Sequence, residues 1–349
     1  MGYAAPVLLD RHSRESRRAI AKLEVPIWHL KMGRPAIPPY KDFPVTDAEQ
    51  LEAVMRYHER TKHHFNRFAP GPGGLDWANQ PDPFRRYAEA PLTRLPILKD
   101  DEEPLSPRYG SLYERGAVAS APMSIRALSR LLEYALALSA WKQAGGTRWA
   151  LRVNPSSGNL HPTEGYVLIG GIAELGGTPG LFHYAPAEHG LERRADCPPA
   201  LFGRLMRGFP PQAFLAGLSS VYWREAWKYG ERAFRYCQHD AGHAIGTLRI
   251  AAATLGWSAR VLDDVADATI EALLGLDRDG DFDGAERESA ELVMALWPGN
   301  VALTTPDLEL EAVKELARQR WYGKANRLSP EDPLPWEIID TVSAASRKP

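Results

Sequence analysis

A chain of 349 residues has the length of one large domain or two small ones, and a 44% hydrophobic content suffices for a core without staples. Its 42 basic and 44 acidic residues leave a net charge of -2, which argues against nucleic acid or an anionic membrane as main partner. Two cysteines, Cys197 and Cys237, exclude a disulfide framework and a Cys-rich zinc module, so a reducing, cytoplasmic compartment is the default reading.

No segment runs 18 apolar residues without a charge, and the first 25 residues mix both signs with no apolar run. Neither a membrane span nor a secretory signal is expected. Residues 46–67 predict the first helix: Thr46 as cap, Glu49 three residues on, then Leu51, Val54, Met55 and His58 on one face. Fifteen of the 29 prolines fall between Pro6 and Pro122, eight of them within 70–107. Each removes a backbone donor and restricts its predecessor, so 70–107 is neither regular helix nor central strand. The aromatic content of 75–87 favours an ordered arm over a disordered linker. We read it as lying over a partner surface, anchored by Trp77, Phe84 and Tyr87.

Residues 124–141 predict a second helix, with Leu128, Leu131, Ala135 and Leu138 at steps of three and four. Strands are expected at 149–154, 165–171, 181–186, 190–196, 218–223 and 292–297. Residues 231–256 predict a long helix with a narrow seam of Phe234, Cys237, Ala241, Ile245, Leu248, Ala252 and Leu255, closed by Gly256. Helices at 264–275 and 307–321 complete the set. Because strands and helices do not alternate strictly, one antiparallel or mixed sheet covered by helices is expected, the α+β class.

Four constellations bear chemistry. In 152–166 (RVNPSSGNLHPTEGY) a strand feeds into Pro155-Ser156-Ser157-Gly158, a bend whose amides and hydroxyls are expected to point outward to a phosphate or a flat polar ring edge. In 227–236 (WKYGERAFRY), entering the long helix, Lys228, Arg232 and Arg235 supply cations, and Tyr229 and Tyr236 supply hydroxyls beside flat rings. A basic first turn opposes the helix dipole, which tilts this group towards an anionic or flat electron-rich ligand rather than a solvated helix start. The HDAGH stretch (239–243) puts two histidines at i, i+4, but without a third ligand nearby they read as packed or solvent-facing side chains, not a metal site. The stretch 277–288 imitates a calcium loop but has Ala290 where the bidentate glutamate belongs, so it reads as a solvated acidic loop.

Taken in order, RVNPSSGNLHPTEGY (152–166), FHYAPAEHGL (182–191), KYGERAFRY (228–236), AGH (241–243) and AAATLGW (251–257) resemble the SagB-type dehydrogenases of the FMN-dependent nitroreductase superfamily. The resemblance covers roughly 120–300. The stretch 57–87 resembles the leading segment of members with two such domains in tandem, which makes this chain similar to a first half and 336–349 similar to the start of a linker. It implies a nitroreductase-like mixed, mostly antiparallel sheet flanked by helices. The implied domains are an extension at 1–45, a helix and Pro-rich arm at 46–122, the nitroreductase-like domain at 123–300, and a helix and tail at 301–349.

The resemblance further implies a homodimer or a pseudo-dimer with a second such domain, FMN at the interface, and a peptide or small-molecule substrate. Arg152, Pro155, Ser156, Ser157 and Arg232 would lie at the flavin, and Gly256, Trp257 and Ser258 near its phosphate. Lys228 and Tyr229 match the Lys-Tyr pair of azoline-oxidising members, with Lys228 as base or orienter and Tyr229 as proton relay. The implied activity is hydride transfer to or from the flavin, with azoline-to-azole oxidation as candidate reaction. The chain departs from the pattern where an Arg-Arg-Ser-x-Arg element should hold the phosphate. Residues 113–121 (YERGAVASA) keep only Arg115, and 296–305 brings no closing cation. Losing charge-assisted contacts worth about 1.5–3 kcal/mol each leaves an alternative: a catalytically silent dimerisation or peptide-binding module on the same fold.

Overall fold

The computed structural model describes residues 46–98, 106–304, 306 and 308–349; the expected extension at 1–45 lies outside them. Helix α1 (Asp47–Thr61) starts as expected at Thr46, whose hydroxyl accepts from Glu49 N while the Glu49 carboxylate accepts from Thr46 N. It stops six residues short of the expected end, because the chain turns at His64–Arg67. Strands β1 (Tyr87–Ala88) and β2 (Leu92–Arg94) follow, then α2 (Ile125–Glu133), capped by Ser124.

The second helix was expected to reach 141 and ends at 133. Three successive amides, Ala135, Leu136 and Ala137, converge on Leu132 O, and the chain leaves as β3 (Leu138–Ala144). Gly145-Gly146, both at positive φ, turns it into β4 (Thr147–Arg152). A Gly-Gly hairpin turn overrides the helical spacing before it.

The central sheet is built from β2, β5 (Thr163–Ile169), β6 (Gly180–Ala185), β7 (Gly190–Asp196), β8 (Phe214–Ser220), β9 (Trp257–Val261) and β10 (Ser289–Pro298). Their order is β2-β7-β6-β5-β8-β10-β9, and every pairing is antiparallel. Side chains alternate between two cores. Tyr166, Leu168, Leu215, Val293 and Ala295 face α3 (Pro199–Leu205), α6 (Asp267–Leu274) and α7 (Leu310–Ala317). Val167, Ile169, Phe214, Ala216, Met294 and Leu296 face α2 and the long helix α5 (Ala233–Thr254). The α+β expectation holds, with both faces of the sheet covered. Among the described residues no helix is long and apolar enough to cross a membrane.

Two segments depart from their readings. The arm lies on its own chain. Arg85 is fully buried, with Nε 3.1 Å from Glu288 Oε1 and its other nitrogens on the carbonyls of Glu286 and Asn326. Tyr87 Oη is 2.7 Å from Tyr166 Oη and donates to Glu288. A buried arginine persists only where carboxylates and carbonyls meet it, and the segments entering β10 and leaving Lys324–Ala325 supply them. β1 pairs with β11 (Lys324–Ala325) and β2 extends the sheet edge. Trp77 remains 68% exposed, edge-on to Trp227. Residues 337–345, expected at the start of a linker, form α8 (Glu337–Ala345), which buries Ile339 and Val342 beside α1. The acidic loop stays solvated as expected at Asp277, Asp279 and Asp283, with Asp281 held by Arg194 at 2.8 Å and Arg278 at 2.9 Å.

Candidate functional site

The stretch expected to enter the long helix is split. A separate helix, Tyr222–Tyr229 (α4), precedes α5 and ends at Gly230, whose φ of +54° and ψ of -128° break the run. Lys228 therefore stands in the last turn of α4, where a cation is favoured, and the dipole argument drawn from a basic first turn keeps only Arg232, at the N-cap of α5, and Arg235 in its first turn. A side chain at Gly230 would strike the Trp336 ring at 2.9 Å, so α4 and the segment before α8 pack tightly at the break.

Lys228 and Tyr229 reach the serine bend. Gly158 holds φ +61°, and a Cβ there would lie 2.5 Å from Tyr229 Oη and 3.0 Å from Lys228 Nζ. Two stretches some 70 residues apart in sequence thus meet at a glycine that leaves room for them. The bend's polar atoms do not all face outward as expected. Ser157 N–H donates to both Asp240 oxygens at 2.9 and 3.1 Å, and Ser157 Oγ donates to Oδ1 at 3.0 Å. Ser156 Oγ accepts from His161 N at 2.8 Å, and His243 Nδ1 donates to Pro155 O at 3.1 Å. Asp240, within the HDAGH stretch, fastens the bend to α5. Burial raises its pKa, opposed by the hydrogen bonds from Ser156 and Ser157. Among the described residues no group of three His, Cys, Asp or Glu side chains could hold a metal ion.

Behind this surface lies Glu225, fully buried, with neither carboxyl oxygen bonded among the described residues. Burial, then the nearby Asp240 charge, hold its pKa well above the usual range, with Lys228 opposing. Tyr229 stays a neutral phenol: burial first, then Glu225 and Tyr236, push its pKa up. Its ring lies 4.4 Å from that of Tyr236, and the Arg232 guanidinium stands 5.3 and 5.6 Å from the two ring centres.

The remaining candidates lie elsewhere. Arg152 is buried against the arm, donating to Pro83 O and Thr163 O; burial pushes its guanidinium down to about 10, against the pull of Glu164. Gly256, Trp257 and Ser258 follow the C-terminus of α5. From Asp240 to Gly256 the helix rise amounts to about 24 Å. Gly256 has φ +64°, and a Cβ there would fall 2.6 Å from the carbonyl oxygens of Val118 and Ala119. Trp257 Nε1 donates to Ala121 O and Ser258 Oγ to Gly299 O, so these side chains tie down their own backbone. Arg115 is exposed in the same neighbourhood, where Gly116 abuts Asn300.

Residues 119–284 match the nitroreductase family, a span holding the serine bend, α4, α5 and Gly256–Ser258. The chain has the nitroreductase fold. A nitroreductase-type protein of Methanocaldococcus jannaschii is 27% identical over 143 residues, covering 39% of this chain and 67% of that protein. A nitroreductase-type crystal structure from Anabaena variabilis superposes with a TM-score of 0.51 at 24% identity, over 77% of this chain. This chain spans about half of that one's length, 54%. The E. coli microcin synthetase McbBCD complex with truncated pro-MccB17 bound gives a TM-score of 0.41 at 19% identity, over 74% of this chain and 95% of that one, a likeness too slight to argue from.

On this nitroreductase fold, sequence reasoning singled out the bend and the Lys-Tyr pair but missed Glu225 and the clamping role of Asp240. The signal for Asp240 was present: an acid on α5, three residues after Cys237 of the apolar seam, must find a partner inside.

Proposed function

We propose that this protein is an FMN-dependent oxidoreductase of the SagB type, with azoline rings in modified peptides as candidate substrates. The observation that carries the reading is the meeting of Lys228 Nζ and Tyr229 Oη at Gly158. The ring side suits a flat, electron-rich group, since Pro155 and Gly158 are exposed and Gly242 and Gly246 leave open space on the outer face of α5. Pro155, Ser156 and Ser157 are assigned to that group. Arg152 acts indirectly, by fixing the strand that leads into the bend. Gly256, Trp257, Ser258 and Arg115 are assigned to the phosphate end. The two ends are separated along α5 by more than one flavin spans, so each chain supplies one end of a site completed by a second copy or a second domain of the same fold.

Bound FMN would accept a hydride from the substrate carbon. The chain's own residues handle the accompanying proton. Lys228 Nζ stands where it can take or orient that proton, and Tyr229 Oη, kept as a phenol, can pass it on. Asp240 keeps the bend in place.

One observation favours a second reading, the silent module: the side chains of Trp257 and Ser258, assigned to the phosphate end, are engaged by backbone carbonyls of Ala121 and Gly299. A visible spectrum after incubation of the purified protein with FMN and desalting decides. Retained flavin absorbance supports the oxidoreductase, and a colourless protein supports the module. In the flavin-loaded protein, Lys228→Ala should keep the flavin and lose most azoline turnover; turnover near wild type would reject the role of Lys228.

A further inference from the structure

Beside the Lys-Tyr pair, one contact does not close on itself. His63 Nδ1 accepts from Ala69 N–H at 3.1 Å. A ring nitrogen that accepts carries no proton, so the neutral imidazole holds its proton on Nε2. That Nε2 stands 2.8 Å from Arg232 Nη1, which has only hydrogens to offer. With its proton there, Nε2 cannot take the Arg232 hydrogen, and an acceptor placed beside the pair would serve both donors.

The surrounding charge selects the acceptor. Neither Arg232 nor Lys228 has a carboxylate within ion-pair distance among the described residues, and Arg232 Nε is buried without a partner. The adjacent acid, Glu231, is held through both oxygens by Arg60 at 2.5 and 2.6 Å. Tyr236 Oη takes one Arg232 hydrogen at 3.2 Å, and the Tyr229 and Tyr236 rings steady the guanidinium without neutralising it. Gly71, with its missing Cβ 3.7 Å from Arg232 Nη2, lets the backbone after α1 lie close over the cation. Arginine presents a planar fork matched to a carboxylate, and His63 Nε2–H adds a third donor.

We propose that a carboxylate of the substrate docks on Arg232, beside His63. Lys228 Nζ and the Arg232 guanidinium both lie within 5.5 Å of the Tyr229 ring centre, so the anion and the reacting ring belong to one small ligand or to neighbouring atoms of one peptide. The substrate class is a carboxylate-bearing ring compound, such as an azoline next to a free α-carboxylate or an acidic side chain. The orientation of the reacting ring rests on the oxidoreductase reading; the anion dock does not.

The test titrates the flavin-free full chain with benzoate and with benzamide by calorimetry. Benzoate should bind about tenfold tighter or more, the worth of one charge-assisted contact. Arg232→Met and His63→Phe should each abolish most of that preference, and His63→Gln, which keeps one acceptor and one donor, should retain it. Equal binding of the two probes, or a preference untouched by His63→Phe in a folded variant, overturns the proposal. So does an Arg232→Met protein that loses FMN but not riboflavin, since the cation would then belong to the flavin phosphate. A wild type that takes up no flavin yet prefers benzoate rejects the oxidoreductase reading and leaves the dock standing.

Discussion

Replacing Gly158 by alanine tests the meeting point of the site directly. The residue sits at φ +61° and ψ 9°, a left-handed conformation that costs an L-residue about 1–2 kcal/mol. The added methyl would also lie 2.5 Å from Tyr229 Oη and 3.1 Å from Tyr229 Cε2, so the ring must retreat by about 1 Å to reach ordinary contact. Lys228 Nζ, at 3.0 Å, ends a flexible stem and can swing aside. Tyr229 has less freedom, because Tyr236 lies against its ring at 4.4 Å and Arg232 beside it. Overpacking of this kind adds about 1–3 kcal/mol. Part of it should vanish when the hydroxyl is removed. In a Tyr229→Phe background, Gly158→Ala should cost less by about 1 kcal/mol, a coupling within the range for touching residues. Urea unfolding of the four proteins at constant slope measures it. Equal costs in both backgrounds would show that Tyr229 does not meet the bend, and the site as described would fall.

Two further perturbations probe the frame around that point. Burial raises the Glu291 carboxyl to about 7, against hydrogen bonds from Ser220 and Gln238. An acid raised in the folded state lowers stability as pH climbs from its ordinary 4.5 to that value, here by about 3 kcal/mol in all. Glu291→Gln should thus stabilise the protein most at pH 7–8 and hardly at pH 4.5, and an equal gain at both would contradict the burial. Gly256→Ala places a methyl 2.6 Å from two backbone carbonyl oxygens in a left-handed residue, and neither carbonyl can rotate away as a side chain can. We expect a loss of at least about 3 kcal/mol and faster hydrogen exchange at Ala121, whose amide bonds to Leu255 O; a Tm within a degree of wild type would refute the contact.

The frame around Gly158 was legible where one periodicity governed one element. The seam from Phe234 to Leu255 and the closing Gly256 mark α5 within two residues at either end, because a long helix on a flat sheet must present one apolar stripe. Unbroken apolar runs marked β5 and β10, as expected of central strands in a sheet covered on both faces. The α4 helix was hidden because Leu218 through Trp223 is rich in residues that suit a strand, and only the tertiary break at Gly230, closed by Trp336 from more than a hundred residues away, separates α4 from α5. The arm was misplaced for a related cause. Nothing local to Arg85 announces Glu288, 203 residues on, yet that ion pair decides whether 75–95 lies on its own sheet or on a neighbour. In the site, periodicity placed the residues on their elements, and chemistry had to say what they meet. Asp240, one turn from the seam and buried, needs donors, and the Ser157 amide and hydroxyl are what the bend provides. The same reasoning, run from burial to partner, leaves Arg232 and His63 with donors and no shared acceptor. That imbalance points outward to a ligand, whereas the imbalance at Asp240 was settled within the chain.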